Sequence, residues 1–283
     1  MQTRVSSPTR EVIIGDDQPT VLIGERINPA GKKKLAESLR AGDLEILRRE
    51  ALAQTQAGAD IIDVNVGTFG VDEVALLPKA VQAVMETVDI PLCLDSANHD
   101  ALEAALKVYK GKPLINSVTG EEHSLAKVLP LVKKYGAAVV GLVQDENGIP
   151  KDAEGRVRAA RKIVERAEAA GIPREDVVID CLAFAVGAEP TSGAAVIEAI
   201  RRIKAELGVN MTLGASNISF GLPDRELLNN AFVVMTATAG ITCLIVDVAK
   251  VRPIVLAADL VLGKDKRARR YIEAYRQRQK QEK

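Results

Sequence analysis

The stretch Leu213 to Arg225, LGASNISFGLPDR, gathers small polar side chains at the end of an apolar run. The run breaks at Gly214, Ser216, Asn217 and Ser219 follow on a turn, and Pro223 opens a helix expected to start with Asp224 and Arg225. Other apolar runs also end in carboxylates or carboxamides: Glu25 and Asn28, Asp63 and Asn65, Asp95, Asn116, and Asp180. A single strand-end Asp is often a helix N-cap, and Asp95 before Ser96-Ala97-Asn98 is placed for that role. Asn116 and Asn217 equally suit turns. Taken together on one face, however, such residues suit a substrate that donates hydrogen bonds. A carboxylate accepts two parallel N–H bonds from an amide-plus-amine edge, the edge of a pterin or guanine. Acid clusters can also hold magnesium. Here the acids are interleaved with Asn and no two are closer than a strand apart, so no metal is expected. No GK[ST] phosphate loop is present.

The elements that must carry these residues alternate regularly. Strands are expected at 21–24, 61–65, 91–94, 114–117, 138–142, 177–179, 211–214 and 244–246. Helix-period stretches lie between them at 44–56, 71–86, 99–108, 124–135, 153–170, 194–207 and 225–239, with a last helix near 254–262. Strand–helix units of this spacing describe an α/β fold, a single-domain (β/α)8 TIM barrel. A doubly wound sheet is the alternative, but only a closed ring points so many polar strand ends at one centre. Residues 1–18 read as an N-terminal extension or hairpin, with Val12–Ile14 apolar and a turn at Gly15-Asp16-Asp17, closing the barrel bottom. The barrel is expected over 19–263. Residues 264–283 read as a basic C-terminal helix, packing Tyr271 and Tyr275 or docking an acidic partner.

Composition limits the function classes. Of 283 residues 47% are hydrophobic and 3% aromatic, with no Trp, so Val, Ile, Leu and Ala must fill the core. A formal net charge of zero and the lack of stacking aromatics speak against nucleic-acid binding. Cys93, Cys181 and Cys243 are widely separated in apolar settings and read as buried thiols. His99 and His123 stand apart from any metal-binding pattern. No signal core and no long apolar run occur, so a cytoplasmic protein without membrane contact is expected.

The motifs IGERIN at 23–28, DVNVG at 63–67, LDS at 94–96, INSV at 115–118, ID at 179–180 and GASNISFGLPDR at 214–225 carry a resemblance. In order, and from about Val21 to Leu262, the chain resembles the pterin-binding methyltransferase family. That family includes methyltetrahydrofolate:corrinoid protein methyltransferases and the folate module of cobalamin-dependent methionine synthase. The resemblance implies methyl transfer between nitrogen 5 of tetrahydrofolate and the cobalt of a corrinoid (cobalamin) carried by a partner protein. It implies that Asp95, Asn116 and Asp180 hold the hydrogen-bonding edge of the pterin in 5-methyltetrahydrofolate or tetrahydrofolate. Asn217 would lie near nitrogen 5 as the catalytic amide. Glu25, Asn28, Asp63 and Asn65 would complete floor and rim, with Gly214, Ser216 and Arg225 binding from the loop.

Phe220 departs from the iron–sulfur-protein methyltransferases, where a Gln stands at that position. The SFGLPDR run is closer to the methionine-synthase folate modules. The resemblance also points to a homodimer, through outer-helix residues around Phe232 to Thr238. Two alternatives stand beside this reading. One is a dihydropteroate synthase-type pterin condensation, whose family places an Arg-Lys pair after the strand-seven Ser; here Ser216 is followed by Asn217 and Ile218. The other is a folate-binding module of a larger complex.

Overall fold

A computed structural model describes residues 1–281. The chain opens with an antiparallel hairpin, β1 (Gln2–Ser6) and β2 (Glu11–Gly15). Its turn lies at 7–10, where the Ser7 N–H bonds the Arg10 carbonyl at 2.9 Å. The Gly15-Asp16-Asp17 turn instead leads into the barrel. Eight parallel strands follow: β3 (Val21–Ile27), β4 (Ile61–Asn65), β5 (Leu92–Asp95), β6 (Leu114–Thr119), β7 (Ala138–Leu142), β8 (Val177–Asp180), β9 (Asn210–Thr212) and β10 (Cys243–Val246). They lie in the order β10-β3-β4-β5-β6-β7-β8-β9. The ring closes between β9 and β10, where Thr242 N–H donates to the Met211 carbonyl at 3.1 Å and Ile245 N–H to Leu213 at 3.0 Å. The sheet is therefore a closed barrel, not a doubly wound layer.

The outer helices are α1 (Lys33–Arg40), α2 (Glu45–Ala57), α3 (Glu73–Thr87), α4 (His99–Val108), α5 (Glu122–Tyr135), α6 (Ala153–Ala169), α7 (Ser192–Leu207), α8 (Arg225–Ala239), α9 (Val248–Val261) and α10 (Arg269–Gln281). The helix α1 was not expected: its Lys-rich start reads as a loop, yet Leu35, Ala36 and Leu39 are buried. The helix α9 starts at Val248 rather than near Ile254. Pro253 removes one backbone donor there, and burial of Val248 and Val251 holds the turns before it. Asp224 is the N-cap of α8, in the left-handed region at φ 47°, rather than its first helical residue. The helix α10 buries Ala274, whereas Tyr271 and Tyr275 are 37% and 53% exposed, so the tyrosines are not its packing anchors. Glu282 and Lys283, at the end of the expected basic segment, lie outside the described residues.

Strand side chains alternate, so each strand sends every second residue inward. Inward positions include Val21 and Ile23 of β3, Ile61 of β4, Cys93 of β5, Leu114 of β6 and Val178 of β8. Their neighbours Leu22, Ile62, Leu94 and Ile179 face the helices in the larger outer layer. Val5, Val12 and Ile14 of the hairpin join the inner cluster and plug the barrel from below. Buried Asn210 ties this plug to β9, its Nδ2 donating to Thr3 Oγ1 and to the Ile14 carbonyl, each at 2.9 Å. Thr3 in turn donates to the Glu175 carbonyl.

Ile14 is fully buried in this plug. Ile14→Ala should cost about 2–5 kcal/mol of stability through lost burial and a residual cavity. Urea denaturation measures it; a loss below about 0.5 kcal/mol, typical of surface substitutions, would show that the hairpin does not complete the core.

Candidate active site

The inward parity that fills the barrel with aliphatic side chains continues upward into polar ones. Two residues beyond Ile23 stands Glu25, beyond Ile61 stands Asp63, beyond Cys93 stands Asp95, beyond Leu114 stands Asn116, and beyond Val178 stands Asp180. Asn65, Asp95 and Asn116 are paired in register across β4, β5 and β6. A β6 irregularity between Asn116 and Val118 interrupts the ladder at this level. These ends open onto a cavity of about 770 Å³. Its lining includes Glu25, Asn28, Asp63, Asp95, Asn116, Gly214, Ser216, Asn217 and Arg225. Asn65 and Asp180 lie outside that lining, each bonded to residues within or beside it.

Asp63 and Asp95 form a hydrogen-bonded carboxyl pair. Burial, then the Asp95 charge, pushes Asp63 well above the usual carboxylate range. Burial also raises Asp95, while hydrogen bonds from Asn65 and Asp63 favour its ionised form. Two adjacent buried carboxylates cannot both ionise cheaply, so the deeper Asp63 holds the shared proton and donates to Asp95. Asn116 Nδ2 donates to Asp63 Oδ1 at 3.3 Å. Asn65 accepts the Gly67 N–H at 2.8 Å with its oxygen, orienting its amide nitrogen toward Asp95. Capping does not consume Asp95. Asn98 caps α4, accepting from the Asp100 and Ala101 N–H groups at 3.0 and 3.3 Å.

Asp180 accepts the Leu182 N–H at 2.7 Å and a further bond from the Gly214 backbone. Burial outweighs these bonds and raises it to about 6. Glu25 is also raised by burial, opposed by the Lys32 charge and by Ser216, whose Oγ donates to its two oxygens at 3.3 and 3.4 Å. Asn28 Oδ1 accepts the Ala30 N–H at 3.0 Å.

The turn over the cavity runs from Ala215 to Ser219. Arg225 clamps it, Nη2 donating to the Ser216 carbonyl at 2.8 Å and Nε to Ser219 Oγ at 3.0 Å. Asn217 is exposed on this turn, and its side-chain amide makes no hydrogen bond to another described residue. Its backbone N–H does bond the Gly214 carbonyl, at 3.3 Å. The turn therefore forms without the Asn217 side chain.

Lys32, Arg26, Asp247 and Lys250 also line the cavity and were not among the expected site residues. Lys32 hides in a Lys run that reads as solvated surface, but its Nζ bonds the Arg26 carbonyl at 2.9 Å. Asp247 follows Cys243 and Ile245 on the inward parity of β10, a signal the sequence did contain.

The pterin binding enzyme model matches residues 24–247, the span from β3 through the end of β10. The chain belongs to the pterin binding enzyme family. It is 34% identical over 267 residues to the methylcorrinoid:tetrahydrofolate methyltransferase of Eubacterium limosum, covering 91% of this chain and 96% of that one. Methionine synthase of Mycobacterium tuberculosis is 35% identical over 262 residues, covering 88% of this chain. The matched region is 22% of that longer protein. The fold resembles Yersinia pestis DHPS with a pterine-sulfa conjugate, at TM-score 0.72 and 17% identity, covering 93% of this chain and 100% of that one. It also resembles Xanthomonas albilineans dihydropteroate synthase, at 0.68 and 22%, covering 93% and 99%.

A carboxyl whose folded value is raised contributes stability below its unfolded value and loses it as pH rises through the folded value. For Asp180 that window runs from the ordinary aspartate value of 3.8 to about 6. Asp180→Asn should therefore stabilise the ligand-free protein at pH 7.5 by up to about 3 kcal/mol, and by much less at pH 4.5. Thermal melts at both pH values check this; an equal loss at each would contradict it.

Proposed function

We propose that the protein is a methyltransferase that moves a methyl group between nitrogen 5 of tetrahydrofolate and the cobalt of a corrinoid carried by a partner protein. The observation carrying this reading is the free side-chain amide of Asn217 above a floor of carboxylates and amides. The similarity to the methylcorrinoid:tetrahydrofolate methyltransferase supports it over nearly the whole chain. Cytoplasmic placement goes with this reading, and no helix among the described residues is long and apolar enough to cross a membrane.

On this reading Asp95, Asn116 and Asp180 hold the pterin's amide-plus-amine edge. An ionised Asp95 accepts N–H bonds, while Asn65 and protonated Asp63 fix its orientation from behind. Glu25 and Asn28 complete the floor and rim. Gly214, Ser216 and Arg225 shape the loop that overhangs it. The partner's corrinoid supplies cobalt as the methyl donor or acceptor. In the direction that releases methyl, the carbon–nitrogen bond breaks and its electron pair stays on nitrogen 5. A tertiary amine leaves poorly until its nitrogen gains a proton or a strong hydrogen bond. Asn217 donates that bond as charge develops. Its amide does not titrate near neutral pH, so the proton comes from solvent, with Glu25 and the Asp63–Asp95 pair as the acids available for a relay. Barrel and loop contribute position above all.

A condensation that expels pyrophosphate needs free cations beside the leaving group. At this loop Arg225 is already spent on Ser216 and Ser219 and a carboxamide stands at 217, while the cavity's other cations sit elsewhere, Arg26 on β3, Lys32 beyond it and Lys250 on α9. Incubation with a pterin pyrophosphate and 4-aminobenzoate tests that rival; no product is expected.

A homodimer is part of the proposal. An apolar groove of about 630 Å³ between α7 and α8 is lined by Ile197, Ile218, Leu228, Phe232 and Met235. Phe232 is buried, and it is Met235, 52% exposed, and Leu228 that reach outward. Multi-angle light scattering should give a dimer that Met235→Glu weakens; a wild-type monomer across concentrations would count against it.

Asn217→Ala should lower the single-turnover rate of methyl transfer by about a hundredfold, equivalent to ~3 kcal/mol, with a smaller effect on folate affinity. A near-normal rate at saturating folate would remove Asn217 from the chemistry.

A further inference from the structure

Arg156 on α6 is the largest fully buried side chain among the described residues, at 0% exposure. Burying a guanidinium is costly unless the charge is answered. No carboxylate forms an ion pair with it among the described residues. Instead it donates to three backbone carbonyls: Nε to Pro150 at 2.9 Å, and Nη1 to Cys181 at 2.7 Å and Leu182 at 2.6 Å. Nη2 has no partner, and the Phe184 ring lies 5.9 Å from the guanidinium carbon. Leu182 has φ 52°, a left-handed conformation that a branched side chain rarely adopts. The two gripped carbonyls thus flank a residue held in the left-handed region, two positions after Asp180.

The loop so gripped continues toward the Asn217 turn. Phe184 N–H donates to Ser192 Oγ at 3.0 Å, and Val186 N–H to the Ile218 carbonyl at 2.9 Å. Leu182 N–H holds Asp180 Oδ1, and the Gly214 backbone holds the same carboxylate from the cavity side. We propose that Arg156 is the positioning residue of this site: it fixes the Cys181–Leu182 loop and supplies the buried positive charge that presents Asp180 to the ligand as a carboxylate. The proposal rests on the folate-binding reading for its consequence, but not for its structural content.

The charges around Asp180 are few. The α6 helix presents Arg156, whose charge favours the ionised carboxyl. Its own strand presents Cys181 and β10 presents Cys243, both thiols pushed up by burial, Cys243 to about 12, and so neutral. Its register partners Leu142 of β7 and Thr212 of β9 do not titrate. Removal of Arg156 therefore leaves burial unopposed by any cation, and Asp180 should stay protonated to a higher pH.

The test is the carboxyl 13C titration of Asp180 in the ligand-free protein, with Asp180→Asn assigning the signal. Wild type should titrate near pH 6; a wild-type midpoint above about pH 7 overturns the proposal, and needs no variant. Arg156→Met should move the midpoint upward. Arg156→Lys, which keeps the charge but loses the fork, should move it less. An unmoved midpoint in folded Arg156→Met, or equal shifts in both variants, overturns the charge role. The midpoint of folate affinity against pH should follow the carboxyl midpoint in each protein. A merely structural role would lower affinity at every pH and leave that midpoint in place. If wild type binds no folate, the functional reading fails, while the carboxyl titration still decides the role of Arg156.

Discussion

Closure of the parallel ring is the constraint on which the rest depends. The backbone bonds from Thr242 to Met211 and from Ile245 to Leu213 join the last strand to the one before it. Once the ring is shut, strand alternation leaves no freedom in which residues face the axis. Inward positions low in the barrel must be apolar and mutually packed, and the hairpin supplies Val5, Val12 and Ile14 to finish that core. The same parity, two residues higher, places Glu25, Asp63, Asp95, Asn116 and Asp247 around one opening, with Asp180 buried behind Gly214 of its lining. A slip of one residue in any strand would turn its polar residue toward the helices and its outer apolar residue toward the cavity.

Gathering acids in this way is unfavourable for the empty protein. Burial raises Asp63, Asp95, Asp180 and Glu25 alike, and few cations answer them. The fold answers instead with amides and backbone N–H groups. Asn65 and Asn116 serve the Asp63–Asp95 pair, Leu182 and Gly214 serve Asp180, and Ser216 serves Glu25. A ligand that donates several N–H bonds from one rigid edge would satisfy these acceptors together. Such stored electrostatic cost is common at binding sites and scarce elsewhere in a well-packed core.

The barrel was legible because its strands are short apolar runs separated by amphipathic stretches. The bounds of β4, β7 and α4 match the expectation residue for residue. Elements that pattern alone misplaces are those held by tertiary contacts. The α1 helix is too polar at its start to announce itself, and the early turns of α9 form despite Pro253. Strand-end polar residues were legible as a class, but their division of labour was not. Sequence could not tell that Asn98 would cap α4 and release Asp95, or that Asn65 would turn its oxygen to Gly67 and its nitrogen to Asp95. Nor could it tell that Arg156, in a helix of charged residues, would be wholly buried. Those outcomes depend on distances between strands, which periodicity does not encode.

The central claim is that the ring of acids and amides recognises the hydrogen-bonding edge of a pterin. Calorimetric titration of the wild-type protein with 5-methyltetrahydrofolate, with and without competing fragments, tests it most directly. Saturable folate binding is expected, displaced by a simple methylpterin and not by 4-aminobenzoylglutamate. Displacement by the tail fragment alone, with the pterin fragment inert, would contradict it.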